Sequence, residues 1–419
     1  MKMEQTWQLI KFAEIDKPAI KSYCAVHGVD ETLNLGDVSQ IDTKTLPEFT
    51  MLCGGTPCQS FSVAGKQHGV VWTCNDCHYA YNPLEAHYMK RTTCPKCGSK
   101  NITKTRSSLL IDYLRVLHDK HPKFAVYENV KNVVSARFRP TFELFLKELN
   151  SYGYNVYYKV LNAKDYGVPQ NRERLYMVIV DKSLDNGQFS FPKAFDTGVR
   201  LKDVIDNKVE DKFYLNDAVL TKLKPLLNST QLDNKTTTAI VQNPHGFNKG
   251  TVVEDCTTIT AHTWECNNFL LNNAELRKLT PRECWRLMGF ADGLFDKAKQ
   301  AGVSDTQLYK QAGNSIVTDV LYHIYHEIYK AMPYLFDDLK VLSLFSGIGA
   351  FEVALDRFFD SVHNKTMEST AKSKDTEDVI VLDTTYINRT PRIYTTYTPT
   401  LRAGRSGFLV AAKKDVKEK

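Results

Sequence analysis

Short apolar runs alternate with stretches of helical spacing along residues 7–180, and a regular pattern returns after residue 276. Between residues 107 and 118, apolar side chains recur at helical spacing, which predicts a helix that opens on serines able to cap it. Apolar runs of strand length predict strands at residues 7–15, 49–53, 123–127, 154–161, 174–180 and 339–345. Strands that alternate with helices indicate an α/β fold with an open sheet. Residues 182–270 are polar and poorly periodic, which predicts a second, smaller and irregular domain.

A cysteine follows the second predicted strand, in the sequence Gly54-Gly55-Thr56-Pro57-Cys58-Gln59-Ser60. Pro57 fixes its own φ and pushes Thr56 toward an extended conformation, so Cys58 is presented in a defined direction. A lone cysteine usually fills space in a core, but the polar neighbours of Cys58 favour a nucleophile.

Acidic residues follow other predicted strands, at the edge where an open α/β sheet binds its ligand. Glu14 ends the first strand, where nucleotide-binding folds contact ribose hydroxyls; a solvated glutamate is the ordinary alternative. Asp37 lies in a polar turn and can accept a hydrogen bond from an adenine amino group. Glu128 comes just after the strand at 123–127 and should face the same crevice.

Two arginines, Arg172 and Arg174, lie between the predicted strands at 154–161 and 174–180 or at their border. Each can face either an anionic substrate or Glu128. One of the two is expected to be a structural ion-pair partner and not a catalytic group.

A glycine turn, Ser346-Gly347-Ile348-Gly349, joins the strand at 339–345 to a helix predicted at 352–359. Small residues let the backbone approach a ligand closely, so a strand, a glycine turn and a helix form a cofactor cradle. An ordinary tight turn is the alternative.

Four of the ten cysteines form two Cys-x-x-Cys pairs, Cys74 with Cys77 and Cys94 with Cys97, separated by sixteen residues. This spacing predicts a four-cysteine zinc ribbon, whose role is structural because four thiolates leave no open coordination position. The ribbon either contacts phosphates or only stiffens a long loop. Its basic residues are Lys90, Arg91, Lys96, Lys100, Lys104 and Arg106.

The chain has 419 residues, of which 42% are hydrophobic and 24% charged, as in soluble globular proteins of two or three domains. Its apolar runs fall well short of the ~20 residues that span a bilayer, and the first residues lack a signal peptide's apolar stretch. We therefore expect a cytoplasmic protein without a membrane partner. The net charge of +6 suits a polyanionic partner without requiring one.

Several segments together resemble the DNA cytosine-5 methyltransferase family: Pro57-Cys58-Gln59, Glu128-Asn129-Val130, Gln170-Asn171-Arg172-Glu173-Arg174 and Gly313-Asn314-Ser315. The resemblance covers roughly residues 7–70, 107–180 and 276–358. The order is circularly permuted, because the adenosylmethionine loop at 345–349, near the start in that family, lies here near the C-terminus. Such a permutation is physically reasonable, since domain termini often lie close together at the surface.

The resemblance implies a Rossmann-like methyltransferase sheet, circularly permuted, with a smaller irregular target-recognition domain and a zinc-ribbon insertion. The catalytic domain is expected in three segments, residues 1–72, 107–181 and 276–360, the last of which includes the cofactor loop. The zinc ribbon should occupy residues 73–106 and the target-recognition domain residues 182–275. A partly disordered tail is expected at 361–419.

In the reaction that the resemblance implies, Cys58 would attack C6 of a flipped-out cytosine in a specific double-stranded DNA sequence. C5 would then take the methyl group of S-adenosylmethionine, and elimination would release the enzyme. Glu128 would hydrogen-bond the ring N3 and the amino edge, keeping charge off the ring. Arg174, and also Arg172, would position the base or Glu128 and help to lower the pKa of the thiol.

The resemblance also implies the cofactor contacts. Phe345 would stack on the adenine, Glu14 would bind the ribose, Asp37 would bind the adenine amino group, and Asn314 would hold the cofactor or the nucleophile loop. The other expected cofactor-site residues are Ser346, Gly347, Ile348, Gly349, Ile15, Val38, Pro57 and Ser315.

Three features depart from the family's pattern. Ser343 stands where an acidic residue is frequent in the family. The resemblance therefore assigns no residue to one contact with the methionine part of S-adenosylmethionine. The zinc ribbon interrupts the loop that closes over DNA, and we expect it to move with that loop and to touch the DNA backbone. The tail after residue 361 either docks as an extra recognition segment, since residues 391–404 echo a family pattern, or is a disordered basic tail.

Two other functions compete with this one. An RNA cytosine-5 methyltransferase uses the same motifs on the same scaffold, although the long irregular domain and the zinc insertion favour duplex DNA. A non-catalytic DNA-binding protein built on an inactive methyltransferase is disfavoured by the intact Cys58, Glu128 and Arg174. Members of the family usually act as monomers in a prokaryotic or phage-infected cell. The sequence gives neither the recognised DNA site nor whether a restriction endonuclease for that site accompanies the protein.

Overall fold

The computed structural model describes residues 6–57, 61, 69–229, 238–244, 249–261, 267–273, 275–371, 379–383, 392–394 and 408–412. The helices are α1 (Lys17–His27), α2 (Leu110–Lys120), α3 (Arg139–Ser151), α4 (Asp217–Ser229), α5 (Pro281–Arg286), α6 (Asp292–Gln300), α7 (Asp305–Asn314), α8 (Thr318–Ala331) and α9 (Ala350–Ala371). The strands of the first half are β1 (Trp7–Ala13), β2 (Met51–Gly54), β3 (Trp72–Cys74), β4 (Ala80–Tyr81), β5 (Ile102–Lys104), β6 (Phe124–Val130), β7 (Tyr154–Asn162), β8 (Gln170–Asn171) and β9 (Glu173–Asp181). The later strands are β10 (Thr238–Gln242), β11 (Thr251–Val253), β12 (Cys256–Thr257), β13 (Asn268–Asn272), β14 (Glu275–Lys278), β15 (Leu339–Leu344), β16 (Val379–Asp383), β17 (Arg392–Tyr394) and β18 (Phe408–Ala412).

Six strands form the main sheet, in the order β1-β15-β2-β6-β9-β7. The pairs β1–β15, β15–β2 and β2–β6 are parallel, whereas β9 runs antiparallel to both β6 and β7. β15 lies between β1 and β2, although about three hundred residues of chain separate it from them. The carboxyl ends of β1, β15, β2 and β6 therefore meet at one edge, where an open sheet of this kind binds its ligand.

The central strands are nearly continuous apolar runs because both faces of the sheet are covered. On one face, Leu52, Ala125 and Leu342 pack in one core cluster with apolar side chains of α2 and α3. On the opposite face, the ring of Phe124 lies 5.6 Å from that of Phe336, which follows α8. Burial on both faces explains why the sequence pattern predicted these strands without any polar alternation.

Two smaller sheets belong to segments that interrupt the main sheet in sequence. Strands β4-β3-β5 form a three-stranded sheet within residues 72–104, and β11-β10-β13-β14 form a four-stranded sheet that packs against α4. The sequence analysis expected an irregular domain at this second place. Its strands are short and only partly buried, so they leave little periodic pattern. The parallel pair β8–β12 connects this region to the segment directly before Arg172.

The chain divides into two compact units, residues 7–355 and a second unit that contains residues 356–419. In the second unit α9 continues to Ala371, and β17-β16-β18 form an antiparallel sheet. The expected disorder at 361–419 stays a prediction, and some of that range lies outside the described residues. Among the helices that the structure describes, none has both the length and the apolar character needed to cross a membrane.

Candidate active site

A cavity of about 620 Å³ opens at the carboxyl edge of the main sheet. The strand ends that line it carry most of the residues predicted from the sequence. These are Glu14, Ile15, Asp37, Val38, Pro57, Glu128, Arg172, Arg174, Asn314, Ser315, Phe345, Ser346, Gly347 and Ile348. Two predicted residues are not among them: Gly349 lies behind the turn against His27, and Cys58 lies outside the described residues.

The glycine turn after β15 is bonded to the end of β1. The N–H of Ser346 donates to the carbonyl of Ala13 over 3.1 Å, and the N–H of Gly347 donates to Oε2 of Glu14 over 2.9 Å. Phe345 has a φ of +56°, which is rare for a bulky residue and occurs mostly at functional sites. This conformation turns the chain away from the sheet at the point where the resemblance predicted an adenine contact.

The carboxylate of Glu14 organises its own loop as well as the glycine turn. Its Oε1 accepts the N–H groups of Ile15 and Asp16 at 2.8 and 2.9 Å. The side chain of Ile15 is 69% exposed and presents apolar surface at the cavity. Asp37 caps a short helical turn by accepting the N–H of Ser39, which occupies one of its carboxylate oxygens.

Glu128 and Arg174 form an ion pair at the far side of the cavity. Nε of Arg174 lies 3.3 Å from Oε1 of Glu128, and the two side chains are 16% and 11% exposed. Burial raises the pKa of Glu128 above its ordinary value, and the charges of Arg174 and Arg172 oppose that shift. A carboxyl group with a raised pKa can act as a hydrogen-bond donor or a general acid toward a bound base.

Arg172 has a different set of partners. Its guanidinium donates to the carbonyls of Ile259 at 2.9 Å, Gly313 at 3.1 Å and Ser315 at 2.7 Å. The sequence predicts that one of the two arginines is structural but does not indicate which one. Arg174 makes the ion pair with Glu128, whereas Arg172 joins the segment after β12 to the end of α7.

The base of the loop that carries Cys58 is held by residues that the sequence analysis did not single out. Asn129 donates to the carbonyl of Thr56 at 3.2 Å and to the hydroxyl of Tyr127 at 2.8 Å. A Cβ added at Gly55 would lie 3.2 Å from Oε2 of Glu128, so the start of this loop passes directly against the carboxyl group. The position of Asn129 next to Glu128 was the available signal in the sequence.

An ion pair between Lys310 and Asp16, with Nζ 2.7 Å from Oδ2, also lines the cavity and was not predicted. Lys310 stands three residues before Gly313 in the motif at the end of α7. Its place about one helical turn before that motif was the signal that could have identified it.

The four cysteines of the two Cys-x-x-Cys pairs lie together. Their Sγ atoms are all within 4.8 Å of one another, with 3.5 Å between Cys74 and Cys97 and 3.7 Å between Cys77 and Cys94. A tetrahedral zinc ion with Zn–S bonds of ~2.3 Å places its sulfur ligands about 3.8 Å apart. The cluster therefore fits a zinc ion in its donor type and its spacing.

Comparison with known proteins gives consistent matches. Residues 2–80 and 96–330 match the family described as C-5 cytosine-specific DNA methylase. The chain is 31% identical over 409 residues to the orphan methyltransferase M.SPBetaI of Bacillus phage SPbeta, covering 77% of this chain and 92% of that protein. It is 31% identical over 304 residues to the type II methyltransferase M.HhaI of Haemophilus parahaemolyticus, covering 70% of this chain and 80% of that protein. The crystal structure of the S. pombe Dnmt2 methyltransferase matches the fold with a TM-score of 0.50 at 16% identity, covering 77% of this chain and 91% of that one.

Proposed function

The chain belongs to the C-5 cytosine-specific DNA methylase family and is a DNA cytosine-5 methyltransferase, and we propose that Cys58, Glu128 and Arg174 carry out its reaction in the cavity at the sheet edge. The family predicted from the four motifs and the Rossmann-like α/β fold are thereby confirmed. The observation that supports the residue roles most strongly is the buried Glu128–Arg174 pair, which lies against the start of the loop that carries Cys58.

The thiolate of Cys58 adds to C6 of the target cytosine, which must leave the DNA stack to enter the cavity. The electron pair displaced from the C5–C6 double bond moves toward C5, and the carboxyl group of Glu128 donates to N3 and limits the charge on the ring. C5 then takes the methyl group that S-adenosylmethionine supplies. Loss of the C5 proton to a base and departure of the Cys58 thiolate restore the double bond.

The glycine turn and the neighbouring strand ends hold the cofactor. Phe345 stacks on the adenine, Glu14 binds the ribose and Asp37 accepts from the adenine amino group, which its second carboxylate oxygen permits. Asn314 and Ser315 complete the wall from the end of α7. The remaining cofactor contacts are those of Ile15, Val38, Pro57, Ser346, Gly347 and Ile348, whereas Gly349 packs behind the turn against His27 and shapes it.

The catalytic domain is circularly permuted. The position of β15 in the centre of the sheet, between two strands from the start of the chain, supports this assignment. Residues 182–275 are the target-recognition domain, because Arg172 and the β8–β12 pair join this region to the cavity wall. The enzyme acts as a monomer on double-stranded DNA in the cytoplasm, and a restriction endonuclease for the same site is a candidate partner.

Residues 73–106 form a structural zinc ribbon. The support is the spacing of four sulfur atoms that match a tetrahedral ion, on strands too short to bury a core of their own. Four protein ligands leave no position for a substrate, so the metal has no chemical role in methyl transfer.

The decisive experiment is covalent trapping with a duplex of mixed sequence that contains 5-fluorocytosine, in the presence of S-adenosylmethionine. Fluorine at C5 prevents the elimination step, so the enzyme should remain attached to the DNA, and mass spectrometry should place the bond at Cys58. Cys58→Ser should abolish the adduct. If the enzyme forms no adduct with the DNA but forms one with RNA that contains 5-fluorocytosine, the substrate is RNA and the proposed DNA substrate is wrong.

A further inference from the structure

The zinc-binding segment contacts the catalytic domain at several places, and these contacts lead to the loop that carries Cys58. We call residues 72–104 the insertion and residues 58–68 the nucleophile loop. The match to the family omits residues 81–95, which lie within the insertion.

The residues at both ends of the nucleophile loop are bonded to the segment that directly follows the insertion. The hydroxyl of Ser107 donates to the carbonyl of Pro57 at 3.0 Å, before the loop. The hydroxyl of Thr105 donates to the carbonyl of Gly69 at 3.2 Å, after the loop. Residues 105–107 therefore bridge the two ends of the loop.

The insertion in turn holds residues 105–107. The N–H of Thr105 donates to the carbonyl of Val71 at 3.1 Å, and the N–H of Val71 donates to the Thr105 hydroxyl at 3.2 Å. The ladder continues into the insertion, where β3 pairs with β5 so that Trp72 lies opposite Lys104. A change in the insertion is thus transmitted through paired backbone and not through a flexible linker.

On its other side the insertion is attached to α3. The guanidinium of Arg91 makes a bidentate ion pair with Glu148 at 2.6 and 2.5 Å, and the two side chains are only 7% and 9% exposed. Tyr152 donates to the same carboxylate, and Asn82 donates to the Thr141 hydroxyl at 3.1 Å. These contacts fix the insertion along the length of α3.

The start of α3 contacts the nucleophile loop directly. The ring of Phe138 lies 5.1 Å from that of Phe61, edge to face, and a Cβ at Gly69 would lie 3.2 Å from Phe138. Asn132, just before the helix, donates to the carbonyl of Phe61 at 2.6 Å. The loop ends, the insertion and α3 therefore form a closed set of contacts.

The apolar core of the insertion is too small to keep this arrangement by itself. Its own apolar cluster consists of Trp72, Cys74, Tyr81 and Cys94, with few partly buried neighbours. So small a core does not hold three strands together without a metal or a disulfide. Loss of the metal should therefore loosen the β3–β5 pair and, with it, residues 105–107.

We propose that the insertion is a metal-dependent support that positions the two ends of the nucleophile loop, with Arg91 and Glu148 as positioning residues. The inference rests on the proposed role of Cys58. It differs from the expectation that the ribbon moves with the loop and touches the DNA backbone, because the buried ion pair attaches it to α3. Most of the proposed cofactor contacts lie at the ends of β1 and β15 and in the turn after β15, and among them only Pro57 borders the nucleophile loop. Cofactor affinity should therefore change much less than the rate of adduct formation.

The test compares wild type, Arg91→Ala and the double variant Arg91→Met with Glu148→Met. Arg282→Ala is the control for loss of a partly exposed ion pair elsewhere in the fold. It removes the pair between Arg282 on α5 and Asp296 on α6, in which Nη2 lies 2.5 Å from Oδ1. Single-turnover trapping with 5-fluorocytosine duplex at saturating DNA and cofactor gives the rate of adduct formation. Calorimetry gives the affinity for S-adenosylmethionine, and DNA affinity is measured in the Cys58→Ser background.

Arg91→Ala should slow adduct formation by about tenfold or more, because small misplacements of a reacting group have effects of this size. Cofactor and DNA affinities should change by less than about twofold, as expected for sites that share few contacts. The Met–Met variant should recover part of the rate, since an apolar pair can replace a buried ion pair. Recovery stays incomplete because Arg91 also donates to the carbonyls of Pro83 and Ala86, and Tyr152 donates to Glu148. Chelation of the wild-type metal should reproduce the slow rate, and added Zn²⁺ should restore it, which tests the proposal even if Arg91→Ala does not fold.

An adduct rate in Arg91→Ala and in chelated wild type equal to that of untreated wild type and Arg282→Ala would overturn the proposal. A loss confined to DNA affinity would also overturn it and would favour direct contact between the ribbon and DNA. Failure of the proposed function itself looks different, because wild type would then form no adduct.

Discussion

One added methyl group at Gly349 should destabilise the cofactor turn more than the same group at Gly347. Both glycines have a positive φ, +81° and +56°, so both substitutions to alanine strain the backbone. Their surroundings differ. A Cβ at Gly349 would lie 1.9 Å from Nε2 of His27, whereas a Cβ at Gly347 would have nothing within 4 Å.

His27 cannot easily move aside. Its Nε2–H donates to the carbonyl of Ile348 at 3.2 Å, and its ring lies 4.5 Å from that of Tyr23. Burial is the main cause that lowers the pKa of His27 to about 4, so the imidazole is neutral at neutral pH.

The expected magnitudes follow from these two terms. An alanine in the left-handed conformation destabilises the folded state by about 1–2 kcal/mol. The reduced conformational freedom of alanine in the unfolded chain stabilises the folded state by about 0.4–1 kcal/mol and offsets part of that strain. Gly347→Ala should therefore cost about 1 kcal/mol. Gly349→Ala adds overpacking against His27, which costs about 1–3 kcal/mol more.

Equilibrium unfolding in denaturant, without cofactor, measures both variants against wild type. Adding His27→Ala to Gly349→Ala should relieve the overlap, so the double-mutant cycle should show a coupling of about 1 kcal/mol or more. Equal midpoints for the two single variants would refute the reasoning. So would a His27→Ala effect that is the same with glycine and with alanine at position 349.

Three further predictions concern the catalytic pair and the metal. Glu128→Gln should slow adduct formation by about 10²–10⁴, the usual contribution of a general acid, with little change in cofactor affinity by calorimetry. Because burial raises the pKa of Glu128, its protonated form persists to higher pH than that of an exposed glutamate, and the single-turnover rate should fall as pH rises through that pKa. Arg174 lowers the same pKa, so Arg174→Ala should move this fall in rate to higher pH. An unchanged midpoint would mean that the group that titrates in the rate profile is not Glu128. Chelation should shift tryptophan emission to the red, since Trp72 is buried beside the metal-binding cysteines, and Trp72→Phe should remove that shift.

The strands of the main sheet were predictable because their burial is simple. The apolar run at 123–127 corresponds to β6, and the run at 174–180 corresponds to β9, each extended by a few residues in the structure. A strand buried on both faces needs apolar residues throughout, whatever its neighbours are. The strands of the four-stranded sheet against α4 carry polar residues on their exposed sides, and the sequence pattern did not identify them.

The two arginines show where sequence reasoning ends. Positions 172 and 174 would share one face of a regular strand, but Arg172 lies between β8 and β9, where the ladder is interrupted. Because of this interruption, Arg172 donates to the carbonyls of three other residues, whereas Arg174 pairs with Glu128. A local irregularity of this kind depends on the pairing of β8 with β12, which is far away in sequence.

The sequence by itself determined the chemistry available to this protein: a Pro-Cys pair after a predicted strand, a carboxylate after a buried strand, a glycine turn and four thiols at the spacing of a metal site. These follow from residue type and short spacing, which act within a few residues. Only the tertiary structure decided how they are combined, because β15 enters the sheet between β1 and β2 from the other end of the chain. That long-range pairing brings the glycine turn to Glu14, and the buried Arg91–Glu148 pair brings the insertion to α3.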